Sequence, residues 1–370
     1  MEKILYIALA ELNKQHNGVA KKIRMQMKGM EKNGYQVSCL AYGEMGYTLF
    51  EDEKETLISR YNGNKTRRFR YFSVARNFIE KEKIDICYIR FPYIDLAVWR
   101  LLKLLKKKKI RVILEVPTYP IKPYQLKKGE WKYWARDQIQ KIFIPTLKNY
   151  IEKIVYIGNK TEKIFGIKSI RMTNGCSVEE FQLKKECEEE KILRIIGIAS
   201  MFYHQGFERL IKGVAQYKNG NNKAKVEVYL VGEGEALNDY KNLAMKLGVM
   251  EYIKFFHWKT GKELDKLFDQ CHIGCASLGL YKVGITEAST LKAKEYLSRG
   301  IPFICAYQEI GIPEDCPYVI RVASDDSPID ISYIINTFID NKDKYKAENI
   351  RKFAMEKFSW ENIMKNVISR

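Results

Sequence analysis

Residues 287–304 read Glu287-Ala288-Ser289-Thr290-Leu291-Lys292-Ala293-Lys294-Glu295-Tyr296-Leu297-Ser298-Arg299-Gly300-Ile301-Pro302-Phe303-Ile304. The pattern predicts a helix over Thr290–Arg299, stopped by Gly300 and followed by a strand over Pro302–Ala306. Two carboxylates stand eight residues apart, Glu287 just ahead of the helix and Glu295 inside it. At about 100° per residue, eight steps return to within about 80° of the start, roughly two turns along. One acid can then face a reacting centre while the other reaches a more distant group. Ser289, Thr290 and Leu291 lie at the helix start, where backbone N–H groups lack helical acceptors and can bind an anion such as a diphosphate. A capped surface helix with two ordinary acids satisfies the same spacing.

Working outward, the same alternation of helix and strand runs through the chain. Upstream, strands are expected at Leu193–Ala199, Lys225–Val231, Ile253–Phe256 and His272–Ser277, with helices at Phe207–Tyr217, Glu235–Leu247 and Glu263–Cys271. The N-terminal half repeats the scheme. Its strands are Lys3–Ala10, Gln36–Tyr42, Asp85–Arg90, Arg111–Val116 and Lys153–Gly158; its helices are Val19–Asn33, Val74–Lys83 and Leu96–Lys109. Strands separated by such helices form right-handed βαβ units and a parallel sheet. The chain has 370 residues, too many for one ordinary core. The charge run Lys184–Lys191 (KKECEEEK) reads as a linker, giving domains 1–183 and 184–344. In such pairs a ligand usually lies in the crevice at the carboxyl ends of the strands.

Composition narrows the function. Hydrophobic residues at 46% and charged residues at 29% exclude a disordered or fibrous chain. No window approaches 18 uninterrupted apolar residues, so no membrane-spanning helix is expected. The first residues lack a signal peptide's layout. Eight cysteines are scattered, five of them (Cys39, Cys87, Cys271, Cys275, Cys305) in apolar runs. They read as reduced, buried thiols of a cytosolic protein. Residues 1–185 hold 38 Lys and Arg against 19 Asp and Glu, whereas residues 186–370 hold 26 of each. The whole net charge of +19 therefore lies in the first half and implies an anionic partner: nucleic acid, an acidic lipid surface or a phosphorylated substrate.

Four stretches in order carry a resemblance. The segment from Leu278 through Glu287 to Ile304 resembles the E-x7-E signature of retaining GT-B glycosyltransferases of family 4. Thr173-Asn174-Gly175-Cys176-Ser177-Val178-Glu179-Glu180-Phe181 looks like that family's crossover between domains. Tyr229-Leu230-Val231-Gly232-Glu233-Gly234-Glu235 is similar to its strand and glycine loop, and Phe358-Ser359-Trp360 to the start of its closing helix. The resemblance covers nearly the whole chain. It implies a GT-B fold of two Rossmann-like, doubly wound parallel-sheet α/β domains facing across a cleft, with a last helix over about 345–370 returning to the first domain. The activity implied is retaining transfer of a sugar from a nucleotide-sugar donor to a hydroxyl acceptor, with no metal or other cofactor needed.

Site roles follow from the same resemblance. Glu287 is the catalytic residue, lying beside the donor sugar to orient it and steady positive charge at the anomeric carbon, and Glu295 accepts hydrogen bonds from ribose hydroxyls. Ser289, Thr290, Leu291 and Lys292 face the diphosphate. The family's glycine-rich first loop corresponds to His16-Asn17-Gly18-Val19, with one glycine where two are usual, placing Gly18 and Asn17 at the site. Where the family has an arginine and a lysine for the diphosphate, this chain has Ser200 and Gln205. Lys292, Lys282 or His204 would then take over. A histidine usual after the Val112–Val116 strand is replaced by Pro117-Thr118-Tyr119-Pro120, leaving Thr118 and Tyr119, with Asn17 and Lys282, on the acceptor side.

The basic half has two readings. Leu101–Arg111 (LLKLLKKKKIR) is either a core-facing helix with lysines favoured by its C-terminal dipole, or a patch for an anionic membrane. Aromatic and basic residues interleave at Arg67, Arg68, Arg70, Tyr71 and Phe72, and again at Lys127, Lys128, Trp131, Lys132, Tyr133 and Trp134. Single-stranded nucleic-acid binders show such interleaving, but no nucleic-acid fold signature accompanies it. The expectation is a cytoplasmic enzyme, peripheral on the inner face of the cell membrane, acting on a lipid-linked saccharide in surface-polysaccharide synthesis. A soluble protein or small-molecule acceptor, or a non-catalytic nucleic-acid-binding relative, remains open. Cys271-His272-x-x-Cys275 lies on a strand pattern whose side chains alternate, so a metal site is not expected there.

Overall fold

The computed structural model describes residues 1–13, 18–52, 54–61, 67–121, 138–187, 192–220 and 224–369. The chain divides into two compact units, 1–173 with 360–370, and 174–359. In the first, strands β1 (Lys3–Glu11), β2 (Gln36–Tyr42), β3 (Gly46–Glu51), β4 (Lys54–Arg60), β5 (Ile86–Arg90), β6 (Arg111–Tyr119), β7 (Lys153–Gly158), β8 (Lys163–Ile164) and β9 (Ile167–Arg171) form one sheet. Its order is β4-β3-β2-β1-β5-β6-β7-β9-β8. The five strands read from the sequence make its parallel centre, with Tyr6 level with both Cys39 and Tyr88. Hairpin β3–β4 is antiparallel and was not foreseen. Its turn places Asp52 at φ 46, a left-handed conformation that Asp tolerates better than most residues.

Both faces of this sheet are covered, which explains its near-continuous apolar strands. Leu5, Ile7, Cys87, Ile89, Val112 and Leu114 pack with Tyr71, Phe72, Leu101 and Leu105 from α2 (Arg67–Lys81) and α3 (Leu96–Lys107). The alternate residues face α1 (Gly18–Lys32) and include a charged cluster. Glu115, with no exposed surface, accepts from Lys22 Nζ at 3.0 Å, Arg90 at 2.8 Å, Gln26 at 3.0 Å and the Tyr88 hydroxyl at 2.9 Å. Burial pushes its carboxyl up, but the Lys22 and Arg90 cations and the Lys22 and Gln26 hydrogen bonds outweigh that and hold it at about 2.

The second unit holds β10 (Ile192–Ile198), α4 (Phe207–Asn219), β11 (Lys225–Val231), α5 (Leu237–Lys246), β12 (Ile253–Phe256), α6 (Gly261–Asp269), β13 (Ile273–Cys275), β14 (Glu287–Ala288), α7 (Leu291–Arg299), β15 (Phe303–Cys305), β16 (Gln308–Glu309), β17 (Val319–Arg321), α8 (Ile331–Asp340) and α9 (Ala347–Phe358). Its main sheet runs β12-β11-β10-β13-β15-β17, and β14 pairs with β16 apart from it. All these pairings are parallel.

Two boundaries differ from the sequence reading. The units part at Thr173/Asn174, ten residues before the charge run. Lys184 donates its backbone N–H to Arg299 O at 2.9 Å and Lys185 to Asp269 Oδ1 at 2.9 Å, so the run's start is tied into the second unit. The expected single closing helix over 345–370 is two. Helix α9 stays with the second unit, because Arg351 donates to Phe181 O and Val178 O at 2.8 Å each. After Ser359 leaves helical geometry at ψ 135, α10 (Trp360–Ile368) packs on α1 of the first unit. Gly29 permits that approach, since a Cβ there would lie 2.6 Å from Trp360 O. Among the described residues no helix is long and apolar enough to cross a membrane.

Candidate active site

Glu287 sits in β14, which pairs with β16: Glu287 is level with Gln308 and Ala288 with Glu309. Three residues on, Thr290 caps α7, its hydroxyl accepting from Ala293 N at 3.2 Å. The cap is secured from an unforeseen direction. Glu309, fully buried, accepts the Thr290 backbone N–H at 3.0 and 3.2 Å and the Thr290 hydroxyl at 3.1 Å. Thr290's N–H, expected to face a diphosphate, is therefore already bonded to a carboxylate. The amides of Leu291 and Lys292 follow it in the first turn, where no acceptor exists within the helix. Ser289 is also engaged: its Oγ accepts Asn174 N–H at 2.7 Å and its carbonyl accepts Asn174 Nδ2 at 2.5 Å.

Lys292 turns towards the loop that follows β10. Its ammonium donates to Gln205 Oε1 at 2.6 Å and lies 3.3 Å from Ser277 Oγ, which itself donates to Gln205 at 2.8 Å. Among the described residues its hydrogen-bond partners are neutral, and burial brings its pKa down to about 8. Gly206 makes this meeting possible. It stands at φ +71, and a Cβ would lie 2.5 Å from Gly279 N and 2.6 Å from Leu278 C. Gln205 O can thus accept Leu278 N–H at 2.7 Å. His204, beside Gln205, stacks on Phe202; burial and the Lys292 charge lower its pKa, so it is a neutral ring at physiological pH. Three separate stretches, 204–205, 277 and 292, converge on one cation.

Glu295 lies one turn further along α7 and is partly accessible. Its Oε1 accepts Arg299 Nε at 2.9 Å, and Arg299 also pairs with Asp265 at 2.6 Å. Lys282 is placed differently from expectation: Glu208 and Asp326 hold its ammonium, so it is not a cation awaiting a ligand. The cause is the short 3-10 turn Leu280–Val283, which points it back at α4. Ser200 is exposed, and its carbonyl accepts Phe202 N–H at 2.8 Å.

Of the remaining candidate residues, Gly18, Thr118 and Tyr119 fall in the first unit. Gly18 opens α1, exposed, with nothing among the described residues within 4 Å of a would-be Cβ; none of these requires glycine there. Thr118 and Tyr119 lie in β6, which runs on past Pro117, with Tyr119 against Tyr156 at 5.7 Å. Asn17 and the Trp131–Trp134 stretch lie outside the described residues. Of the basic stretches, Tyr71 and Phe72 are completely buried, so neither of these two rings is offered for stacking. Lys106–Lys109 are all exposed. Lys108 donates to Ile79 O and Glu80 O at the end of α2, the dipole role foreseen for this run, though on a neighbouring helix.

Sequence reasoning missed Glu309, Lys294 and Glu115. A lone acid in an apolar strand (Ile113-Leu114-Glu115-Val116) was the available signal for the last; nothing local marked the other two.

Residues 178–352 match the model of the family described as Glycosyl transferases group 1, a range inside the second unit. The whole chain has the GT-B fold, and fold and family match together support a transferase enzyme. An uncharacterized glycosyltransferase of Methanocaldococcus jannaschii is 21% identical over 186 residues, 49% of this chain and 45% of that protein. The matched stretch is thus less than half the length of that curated relative. Among solved structures, Anabaena HepE in complex with UDP is similar at TM-score 0.64 and 12% identity, over 99% of this chain and 98% of that one. It has also been solved with UDP-glucose. WaaG, a glycosyltransferase involved in lipopolysaccharide biosynthesis, is similar at TM-score 0.62 and 12% identity, over 99% of this chain and 100% of its own.

Proposed function

We propose that the protein is a retaining glycosyltransferase of family 4, moving a sugar from a nucleotide-sugar donor to a hydroxyl of a lipid-linked saccharide in cell-surface polysaccharide synthesis. The observation that carries this reading is the cation at Lys292, set with Gln205 and Ser277 beside the first turn of the helix that bears Glu295. When the bond from the anomeric carbon to the diphosphate breaks, the electron pair leaves with the diphosphate. Catalysis then needs preorganised positive charge where that negative charge gathers. Lys292 Nζ and the Leu291 and Lys292 amides supply it, in place of the family's arginine and lysine. Glu287 steadies the positive charge developing on the sugar, and Glu295 accepts from the ribose hydroxyls. This reading calls for no catalytic metal.

The relatives support the donor class: HepE binds UDP and UDP-glucose, and WaaG acts in lipopolysaccharide biosynthesis. The acceptor assignment rests on the basic first half, whose charge suits a diphosphate-linked lipid and the anionic inner face of a membrane. Thermal shift with UDP, ADP and GDP against oligonucleotides tests the core of the proposal. Stabilisation by a nucleoside diphosphate alone is expected. Stabilisation by oligonucleotides alone would make the protein a nucleic-acid binder on the same fold.

A further inference from the structure

The ladder β14–β16 is two residues long on each side, yet it carries Glu287. Such a pairing is too short to hold itself, since an isolated pair of strands is marginal even at full length. What fastens it is the Glu309 side chain. Besides Thr290, the carboxylate accepts the Tyr307 hydroxyl at 2.8 Å and Lys294 Nζ at 2.9 Å. Lys294 and Glu309 have at most 1% of their side chains exposed, and the Lys294 ammonium also sits 3.9 Å from the centre of the Phe358 ring. Burial and the adjoining carboxylate push the Tyr307 hydroxyl well above its ordinary pKa, so it stays a donor. One carboxylate thus joins the strand that pairs with Glu287, the cap of α7 and, through Lys294, the residue next to Glu295.

We propose that Glu309 is a positioning residue: charge-balanced by Lys294, it sets Glu287 and the first turn of α7 relative to each other, and Lys294 keeps its net charge from opposing an anion there. The second half of this statement rests on the donor reading above. The chemistry is specific. A carboxylate can take an N–H, two hydroxyls and an ammonium at once, but without Lys294 it would leave a naked negative charge at the helix start.

The test uses the full chain as wild type, E309Q, K294M and the double variant. Hydrogen exchange over residues 286–293 is followed by mass spectrometry, and affinity for UDP, ADP and GDP by calorimetry. Faster exchange confined to 286–293 is expected in E309Q. K294M should lose about tenfold or more in affinity, because a buried charge is left unpaired. The double variant should recover to within about threefold of wild type, since removing both charges restores balance. A merely structural pair predicts affinities that follow melting temperature, with the double variant no better than K294M; that result overturns the charge-balancing role. Unchanged exchange in E309Q overturns the positioning role. If wild type binds none of the three nucleotides, the donor reading fails instead, and the exchange measurement still decides whether Glu309 positions Glu287.

Discussion

Among the described residues, each unit buries one carboxylate completely, Glu115 in the first and Glu309 in the second, and the two are surrounded to different ends. Glu115 sits on a central strand of a nine-stranded sheet and is closed off by Lys22, Arg90, Gln26 and Tyr88. Lys22 and Gln26 are one turn apart on α1 and reach the same acid. That cluster is a lock between a helix and a sheet. Glu309 instead sits on a two-residue side strand and gathers groups that flank Glu287 and Glu295. Two residues beyond the cap Thr290, Lys292 holds a cation whose hydrogen-bond acceptors among the described residues, Gln205 and Ser277, are neutral. A buried charge with opposite charges around it fixes structure, whereas one left with neutral partners retains the capacity to meet an incoming anion.

The hardest strike at this contrast is Glu115→Ala. Removing one partner from a buried ion pair strands the others, at about 3–5 kcal/mol. Chemical denaturation should show that loss in the folding of residues 1–173, and a change below about 1 kcal/mol would mean the cluster is not a lock. Acid should act in the same direction. Glu115 is held at about 2 in the folded state against about 4.3 for an ordinary glutamate. Its contribution is complete above the ordinary value and is lost as pH falls towards the folded one.

In the second unit the largest effects should fall on chemistry. Glu287→Ala should depress turnover by roughly 10²–10³-fold with little change in donor affinity, the signature of charge stabilised in the transition state. Glu295→Ala should instead weaken donor binding by about 1.5–3 kcal/mol, the range for hydrogen bonds to a charged group. Calorimetry and steady-state rates separate the two, and equal effects on both variants would dissolve the division of roles.

Lys292→Met should cost more turnover than Gln205→Ala, because the amide orients the cation while the cation itself offsets the diphosphate. The pH profile sharpens this. Burial has brought Lys292 to about 8, so its charge is lost as pH rises through that value. A bound anion favours the proton, and nucleoside-diphosphate affinity should therefore fall across that interval in wild type but not in Lys292→Met. A flat wild-type profile would remove Lys292 from the ligand.

The gentlest perturbation concerns the surface of the first unit. Reversing the charge of Lys106–Lys109 should move the protein from anionic vesicles to the supernatant on sedimentation, since basic residues near such a surface contribute about 1 kcal/mol each. Salt should weaken wild-type binding, exposed charges being screened beyond about 8 Å at physiological ionic strength. Wild type that ignores anionic vesicles at low salt would favour a soluble acidic acceptor.

Much of the architecture was legible because periodicity is local. Lys225–Val231 and Lys153–Gly158 are the strands read from the pattern, residue for residue, and Thr290 caps its helix where the side-chain type predicts. The hairpin Gly46–Arg60 escaped because its outer strand is largely polar and edge-exposed, so no apolar pattern marked it. The closing helix was read as continuous because nothing in Phe358-Ser359-Trp360 forbids helix; its break is set by α9 packing in one unit and α10 in the other. Within the site, the roles of Glu287 and Glu295 and the candidacy of Lys292 came from the resemblance that the E-x7-E segment carries, since the spacing alone also fits an ordinary capped helix. That Gln205 and Lys292 act as one group did not, since 87 residues separate them.

By itself, the sequence determined the alternation of strand and helix, the doubly wound class, the one-sided charge and the acid pair, all of which follow from residue type over a few turns of chain. Only the tertiary structure decided which charges would be matched. Lys282 met Glu208, Lys294 met Glu309 and Lys22 met Glu115, leaving Lys292 among neutral partners. The physical reason is that a charge's partner is chosen by proximity in space under the high cost of burying it alone, and that proximity is not written at any fixed distance along the chain.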